Sequence, residues 1–224
     1  VVVILSSSNN TIEGNYIGTD STGALDLGNT ELGVLIDGSP QNNVLDNVIS
    51  GNDSHGIMVF RPGSTNNDIR GNLIGTNASG SGAVPNTGAG IYFQGGTTNN
   101  TVGGLLVSDR NLISGNLESG VHIDDNTTTG NTVRGNYIGT DSTGVLDVGN
   151  GLRGVFLDNS PGNSILNNLI SGNDDHGVFV FNFQASGNIV QGNMIGTTAA
   201  GNVALPNSSA GIYLRSGAFN NTIG

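Results

Sequence analysis

Two stretches of the chain that lie 121 residues apart repeat one pattern. Residues 10–29 read NTIEGNYIGTDSTGALDLGN, and residues 131–150 read NTVRGNYIGTDSTGVLDVGN. The same offset runs without a gap from Val1/His122 to Gly103/Gly224, and about half of these pairs are identical. The 224 residues therefore hold almost two copies of one unit, 1–103 and 122–224, with a connector between them. Internal repeats of this kind decide the fold before any local propensity does.

A shorter unit recurs inside each copy. A Gly followed by an apolar residue, any residue and another apolar residue occurs at Gly33, Gly56, Gly90, Gly120, Gly154, Gly177 and Gly211. The tripeptide Asn-x-Ile occurs at Asn15, Asn47, Asn72, Asn111, Asn136, Asn168 and Asn193, and further apolar residues lie between the two motifs. Three short β-type segments separated by Gly and Asn corners predict one turn of a parallel β-solenoid. No stretch shows the longer 3.6-residue periodicity of a helical repeat.

The corner residues support a β-helix of about seven coils, each with three short strands. Gly and Asn tolerate the positive φ that sharp corners require. The Asn of each Asn-x-Ile is expected to stack one per coil, so that the amides form a hydrogen-bonded ladder. With a rise of ~4.8 Å per coil, the predicted rod is ~34 Å long and has a narrow core of Val, Ile and Leu.

These motifs resemble the right-handed parallel β-helix superfamily that includes the pectate lyases. The strings GNYIGTDSTG and NLIGT are similar to repeats of large secreted bacterial proteins. The resemblance implies an all-β, single-stranded right-handed parallel β-helix over residues 1–224. It also implies a fragment of a longer repeat protein that is extracellular or lies at the cell surface. Because one such scaffold carries lyases, hydrolases, epimerases, adhesins and inert stalks, the resemblance leaves the function open.

The composition narrows the function classes. The net charge is −11, and the six basic residues are all Arg, so clustered positive charge for nucleic acid is missing. No apolar run approaches the ~20 residues of a membrane span, which argues against membrane insertion. The absence of Cys removes disulfides, thiol nucleophiles and zinc–cysteine sites.

Alternation along the strand after each Gly predicts two outward rows. The first row is Val1, Leu35, Met58, Tyr92, His122, Phe156, Phe179 and Tyr213, and the second is Val3, Asp37, Phe60, Gln94, Asp124, Asp158, Phe181 and Arg215. Soluble monomers rarely expose so continuous an apolar patch. Three explanations stay open for the first row: loops cover it, a second copy or another protein binds it, or sugar rings stack on it. The candidate ligand or partner surface consists of Leu35, Met58, Tyr92, Phe156, Phe179 and Tyr213.

Four loops of similar length (18–32, 75–89, 139–153 and 196–210) lead into this face. Two of them carry GTDSTG followed by an Asp, which pairs Asp20 with Asp26 and Asp141 with Asp147. Such carboxylates are candidate Ca²⁺ ligands, although Asp beside Gly and Thr commonly forms side-chain-to-backbone turns. Ca²⁺ is the one cofactor that the sequence suggests, and a side-chain-to-backbone turn is the preferred interpretation of these four Asp residues.

The histidines and the outward carboxylates raise a second question. His55 and His176 each precede a strand and are interpreted as turn caps. Asp124 and Asp158 are expected on adjacent coils, ~5 Å apart, with His122 beside them. That separation suits a retaining glycosidase pair or a shared cation, and mutual repulsion would raise one pKa. The alternative is a solvated acidic patch without catalytic residues.

The preferred function from sequence is non-catalytic. The chain is expected to be a structural or adhesive rod segment that associates with itself or with other surface-protein repeats. The alternatives are a polysaccharide lyase or glycosidase, and a glycan-binding module that uses the aromatic row. Near-duplication and the lack of a coherent catalytic set favour the structural interpretation.

Overall fold

Every coil of the fold except the first begins directly after one of the recurrent Gly residues of the sequence. The computed structural model describes residues 1–224 and contains three parallel β-sheets. Sheet 1 consists of Val2–Leu5, Val34–Asp37, Ile57–Phe60, Ile91–Gln94, Val121–Asp124, Val155–Asp158, Val178–Phe181 and Ile212–Arg215. These eight strands define coils 1 to 8 in chain order, and the strand order in the sheet is the order along the chain.

The other two sheets complete the coils. Sheet 2 consists of Thr11–Glu13, Asn43–Leu45, Asp68–Arg70, Thr101–Gly103, Thr132–Arg134, Ser164–Leu166, Ile189–Gln191 and Thr222–Ile223. Sheet 3 consists of Tyr16–Ile17, Val48–Ile49, Leu73–Ile74, Leu112–Ile113, Tyr137–Ile138, Leu169–Ile170 and Met194–Ile195. The fold is thus a single-stranded parallel β-helix of seven three-stranded coils and the first two strands of an eighth. The helical content is one 3₁₀ turn, Val107–Asp109, and no helix is long and apolar enough to cross a membrane.

The core is a column of β-branched and Leu side chains from all three sheets. A single cluster of 27 buried residues runs from Ile4 to Val190, and like residues lie directly above one another. In sheet 3, for example, Ile49 pairs with Ile74 and Ile113 pairs with Ile138. Since β-branched residues pack well on a pleated surface, repeated Val and Ile give a continuous core that coils of unequal length can share.

Asparagine ladders line all three corners, whereas the sequence predicted one. The expected ladder, Asn15 to Asn193, lies between sheets 2 and 3, and its amides bond from coil to coil at 2.9–3.0 Å. A second ladder, which starts at Asn10 and Asn42, lies between sheets 1 and 2. A third, which includes Asn52 and Asn86, lies between sheets 3 and 1. Buried corner amides and backbone N–H groups are therefore paired, which a solenoid needs because its corners have no strand partners.

The Gly that precedes the sheet 1 strand in each of coils 2 to 7 is required by close approach of the next coil. A Cβ on Gly56 would lie 2.7 Å from the Gly90 carbonyl oxygen and 2.9 Å from the Asn86 Nδ2 atom. The Asn86 amide belongs to the third ladder, and the Gly90 carbonyl accepts the Ile57 amide, so neither atom can move away. This contact explains the regular Gly of the sequence motif.

The predicted register is wrong in the first coil. Val3, not Val1, pairs with Leu35, and Leu5, not Val3, pairs with Asp37. The turn after the coil 1 strand has five residues (6–10), whereas the turn after the coil 5 strand has seven (125–131). An ungapped offset of 121 therefore misplaces the first strand by two residues, which keeps each side chain on its predicted face.

Candidate functional site

The outward face of sheet 1 has an aromatic half in coils 4 to 8. Tyr92, His122, Phe156, Phe179 and Tyr213 occupy paired positions on successive strands. The ring centroids are 4.8, 4.6, 5.3 and 5.4 Å apart in that order. We call these five residues the ring stack. The sequence predicted that they share a row, and the structure brings them into contact.

Most faces of these rings are covered by neighbouring rings. The interplanar angle is 9° between Phe156 and Phe179 and 12° between Phe179 and Tyr213, so these rings lie face to face along the rod. Phe156 is only 9% exposed and Phe179 6%, whereas Tyr213 is 37% exposed. A pyranose ring stacks on an aromatic face, and the central rings present edges instead.

Arg153 covers the central rings from outside. Its guanidinium carbon lies 4.9 Å from the Phe156 ring centroid and 5.4 Å from that of Phe179. The Nε atom is 2.9 Å from the Asp175 carboxylate, which fixes the side chain over the rings. A cation over aromatic rings stabilises a partly buried site by roughly 0.5–2 kcal/mol.

Apart from Arg153, which is the last residue of loop 139–153, the four long loops do not form this cover. They stack on one another along the rod, with Ala78 N–H donating to the Gly23 carbonyl and Ala199 N–H to the Gly144 carbonyl. The loop glycines lie against outward side chains of sheet 3, such as Tyr16 beside Gly23. Of the three explanations for the apolar row, cover by a loop therefore applies at the end of loop 139–153, where Arg153 lies over Phe156 and Phe179, and the middle of each long loop packs on the neighbouring sheet.

The candidate catalytic residues form one cluster at the edge of the ring stack. Asp124 and Asp158 are paired across adjacent strands. One carboxylate oxygen of each and one imidazole nitrogen of His122 all lie within 4.8 Å of one another. This is the arrangement that the sequence predicted from coil stacking. It is also the one group of three or more His, Asp or Glu side chains in the structure that could hold a metal ion.

Polar neighbours fix the two carboxylates. The Tyr92 hydroxyl donates to Asp124 Oδ2 at 2.9 Å, and Gln94 Nε2 donates to the same atom at 3.2 Å. Asn182 Nδ2 donates to Asp158 Oδ1 at 2.8 Å. Sequence reasoning missed the contribution of Asn182, which follows its strand and turns back with a positive φ of 73°.

Burial dominates the electrostatics of the cluster. Desolvation lowers the pKa of His122 to about 4, so the imidazole is neutral at pH 7, and its buried Nε2 atom has no hydrogen-bond partner. Burial and the nearby Asp124 charge raise the pKa of Asp158, against the opposing effects of Asn182 and Arg153. Burial and the bond to Asp124 raise the pKa of Tyr92, which keeps its hydroxyl protonated. Because a proton-transfer group works best with a pKa near the working pH, these shifts make His122 a weaker base and Tyr92 a weaker acid, whereas the raised pKa makes Asp158 a better proton donor.

The loop carboxylates are engaged in turns. Asp20 accepts hydrogen bonds from the Leu25 and Ala24 amides and the Thr22 hydroxyl, and these bonds lower its pKa to about 2. In the second copy, Asp141 accepts hydrogen bonds from the equivalent groups, which are the Leu146 and Val145 amides and the Thr143 hydroxyl.

The second Asp of each pair belongs to the same turn. Asp26 forms an antiparallel bridge with Thr19, and Asp147 forms one with Thr140 and accepts the Gly149 amide at 2.9 Å. This geometry is that of the side-chain-to-backbone turn.

His55 and His176 cap loops across coils. His55 Nδ1 accepts the Ala89 amide at 2.9 Å, and His176 Nδ1 accepts the Ala210 amide at 3.1 Å. Their rings also border the ring stack, since His55 lies 4.7 Å from Tyr92 and His176 lies 4.7 Å from Tyr213. The two histidines stand at different ends of the stack and share no site.

The continuous core, the corner ladders and the sheet 1 face define the class of protein, a parallel β-helix protein. The chain belongs to the right-handed β-helix family, whose model matches residues 2–138 and 83–224. A comparison with curated protein sequences finds no significant match.

Two solved structures share the fold. One is the A-module of the mannuronan C-5 epimerase AlgE4 of Azotobacter vinelandii, with a TM-score of 0.66 and 19% identity. The other is a mutant of the periplasmic alginate epimerase AlgG, with a TM-score of 0.60 and 18% identity. The matches cover 97% and 86% of this chain but only 58% and 44% of those structures. The chain thus spans about half the length of these proteins, and the likeness establishes the fold alone.

Proposed function

We propose that this chain is a structural, non-catalytic segment of an extracellular or cell-surface β-helix rod. The observation that carries the proposal is the ring stack, whose central faces contact each other and Arg153 instead of solvent. Rings arranged in this way contribute packing between coils and offer little surface to a sugar. The row therefore stiffens the rod, and association with further copies or with other surface-protein repeats is part of the same role.

The periplasmic location named for one structural neighbour supports a place outside the cytoplasm, and the chain contains no Cys. Disulfides are not needed, because three Asn ladders and a shared core tie each coil to the next.

The substitution Phe156→Leu tests the structural role. It keeps an apolar side chain but removes two stacked pairs, each of which is worth roughly 0.5–1.5 kcal/mol. We expect Tm to fall by about 4 °C, since about 1 kcal/mol shifts a domain of this size by roughly 2–4 °C. The wild-type chain should neither bind nor change the members of a polysaccharide panel that includes alginate and polymannuronate. An unchanged Tm together with loss of a glycan interaction would overturn the proposal.

The second candidate function is action on a polysaccharide at the cluster of Tyr92, His122, Asp124 and Asp158. Two observations favour it: the His122 Nε2 atom is buried and unpartnered beside two carboxylates, and both structural neighbours are named as epimerases. In such a site, protonated Asp158 would donate its proton to the glycosidic oxygen while Asp124 attacks the anomeric carbon, and a water molecule would then release the sugar from Asp124 and return a proton to Asp158. Because the two carboxylates repel a polyuronate, a neutral glycan is the favoured substrate class.

The double variant Asp124→Asn/Asp158→Asn and the single variant Tyr92→Phe test this candidate. NMR of sugar C-5 configuration, ultraviolet absorbance of unsaturated ends and reducing-end assays, each with and without Ca²⁺, cover epimerase, lyase and hydrolase products. Activity that these variants lose and the control Asp37→Asn retains would establish the site. Absence of all three products from the wild-type chain would remove it.

A further inference from the structure

A groove lies away from the sheet 1 face. It has a volume of about 480 Å³ and lies beneath the connector between the two copies, alongside sheet 3 of coils 5 to 7. The side chains that matter here are Leu105, Leu106, Val107, Arg110, Arg134 and Met194. None of the candidate site residues on sheet 1 lines this groove.

The groove is positively charged on a strongly acidic protein. The chain has a net charge of −11, yet none of the 14 lining residues is Asp or Glu. Arg110 and Arg134 both line it, and neither takes part in an ion pair, unlike Arg61, Arg70 and Arg153. Two uncompensated guanidinium groups on one concave surface repel each other, and an anion placed between them would remove that repulsion.

The Arg110 guanidinium is held in place by an aromatic ring, and both arginines have hydrogen-bonding capacity to spare. Arg110 lies flat over the Tyr137 ring, with its guanidinium carbon 3.9 Å from the ring centroid. The Nε atoms of Arg110 and Arg134 are buried and have no hydrogen-bond partner. A planar guanidinium fixed in this manner suits two-point binding of an oxyanion.

The lip of the groove is apolar and open to solvent. Leu105, Leu106 and Val107 are consecutive and are 79%, 66% and 75% exposed. Met194 and Leu169 continue the apolar lining on the opposite side. Exposed aliphatic side chains in a row beside two arginines favour a ligand with an apolar part as well as a charge.

The groove is not a by-product of the repeat. At the 121-residue offset, Arg134 corresponds to Glu13, and Arg110 lies in the connector, which the first copy lacks before it. The first copy thus has the opposite charge at the same place. The basic groove is a property of one region of this chain.

We propose that this groove binds a small organic carboxylate, with Arg110 and Arg134 on the carboxylate and the aliphatic lip on the apolar body. The volume lies within the roughly 300–1,000 Å³ of small-molecule sites. The inference is independent of the structural role proposed above, since it concerns another face of the rod.

Calorimetric titration of the whole chain with octanoate, acetate and inorganic phosphate tests the proposal. Octanoate should bind saturably with one site and at least tenfold more tightly than acetate or phosphate. Arg134→Gln and Arg110→Gln should each weaken octanoate binding at least tenfold, and Leu106→Ser should weaken it several-fold.

Arg61→Gln is the matched control, because it removes the same charge from the corner after the coil 3 strand of sheet 1, outside the groove, and should leave the affinity unchanged. Circular dichroism before titration verifies that each variant is folded, and either arginine variant suffices if the other misfolds. Lack of saturable octanoate binding, or wild-type affinity in a folded Arg134→Gln variant, overturns the site. Phosphate binding as tight as octanoate binding overturns the ligand class.

Discussion

The two halves of the sheet 1 face have the same backbone and different surfaces. In coils 2 and 3 the first outward row is Leu35 and Met58, and at the 121-residue offset the same positions are Phe156 and Phe179. The second row changes as well. Asp37 has an arginine partner, whereas Asp158 faces another carboxylate.

The difference shows which residues the fold constrains. Inward Val and Ile, the corner Asn and the Gly before each strand are present in both halves, because each contacts the coil above and below. Outward side chains contact mainly their own row, so one row can be aliphatic in one half and aromatic in the other. Any function of this face is therefore a property of the particular coils and not of the repeat.

The largest expected loss of stability comes from the Asn ladder and should be equal in the two halves of the molecule. Asn47 and Asn136 each donate to two carbonyls and to the next Asn, and each accepts from the previous Asn. Asn47→Ala and Asn136→Ala should each cost about 4 kcal/mol, because several buried groups lose partners worth roughly 1–3 kcal/mol each. Chemical denaturation measures the loss. A loss below about 1 kcal/mol in either variant would show that water replaces the ladder.

The second-largest loss of stability should differ between the aromatic half and the aliphatic half of the sheet 1 face. Phe156→Ala removes a buried ring and should cost about 3 kcal/mol, whereas Leu35→Ala removes a half-buried side chain and should cost about 1 kcal/mol. Denaturation of the two variants under one condition gives the comparison. Equal losses would mean that ring stacking adds nothing beyond apolar burial.

Acid should weaken the aromatic half first. The folded-state pKa of His122, about 4, lies below its ordinary value, so its stabilising contribution is present above pH 6.5 and is lost as the pH falls toward 4. Between pH 7 and pH 5 the loss should be about 2 kcal/mol. Hydrogen exchange should show faster opening of coils 4 and 5 than of coil 2 at pH 5. His122→Phe keeps the stack and should flatten this dependence, and an equally steep profile would assign it to other groups.

The smallest effects should have opposite signs in the two halves. Asp158→Asn removes a carboxylate whose pKa is raised by burial and by Asp124, so at pH 7 it should stabilise the protein. Asp37→Asn removes the 2.9 Å ion pair with Arg61 and should destabilise it. Because Arg61 is exposed and Asp158 is only half-buried, solvent screens both interactions, and each change should be below about 1 kcal/mol. Scanning calorimetry at pH 7 detects the signs, and equal signs would contradict the electrostatic account.

Much of the candidate site was predictable from local pattern. The Gly before each strand set the start of sheet 1, and alternation placed Tyr92, His122 and Asp124 outward. Coil stacking then placed Asp124 beside Asp158. These predictions hold because a parallel in-register solenoid converts sequence repeats directly into neighbours in space.

Other features required the folded chain. The first-strand register depended on a turn two residues shorter than its counterpart in coil 5, and turn length leaves no trace in the strand pattern. Two further Asn ladders were missed because members such as Asn42 and Asn100 begin Asn-x-Val instead of Asn-x-Ile, and because most members of the third ladder, such as Asn52, have no apolar residue two positions later. The cover of Arg153 over Phe156 and the stacking of the long loops on sheet 3 depend on how coils of unequal length pack.

The sequence by itself determined the class of fold, the number of coils and the outward rows, since each follows from a repeated local requirement of backbone and burial. Only the tertiary structure decided that the aromatic faces are occupied by each other, that Asp20 and Asp141 close turns, and that Arg110 and Arg134 share a groove. The physical reason is distance along the chain. Contacts within a coil, and contacts between equivalent residues of adjacent coils, recur wherever the sequence motif recurs. Contacts made by the loops and the connector join residues that are far apart in the chain, and their positions depend on the lengths of the coils between them.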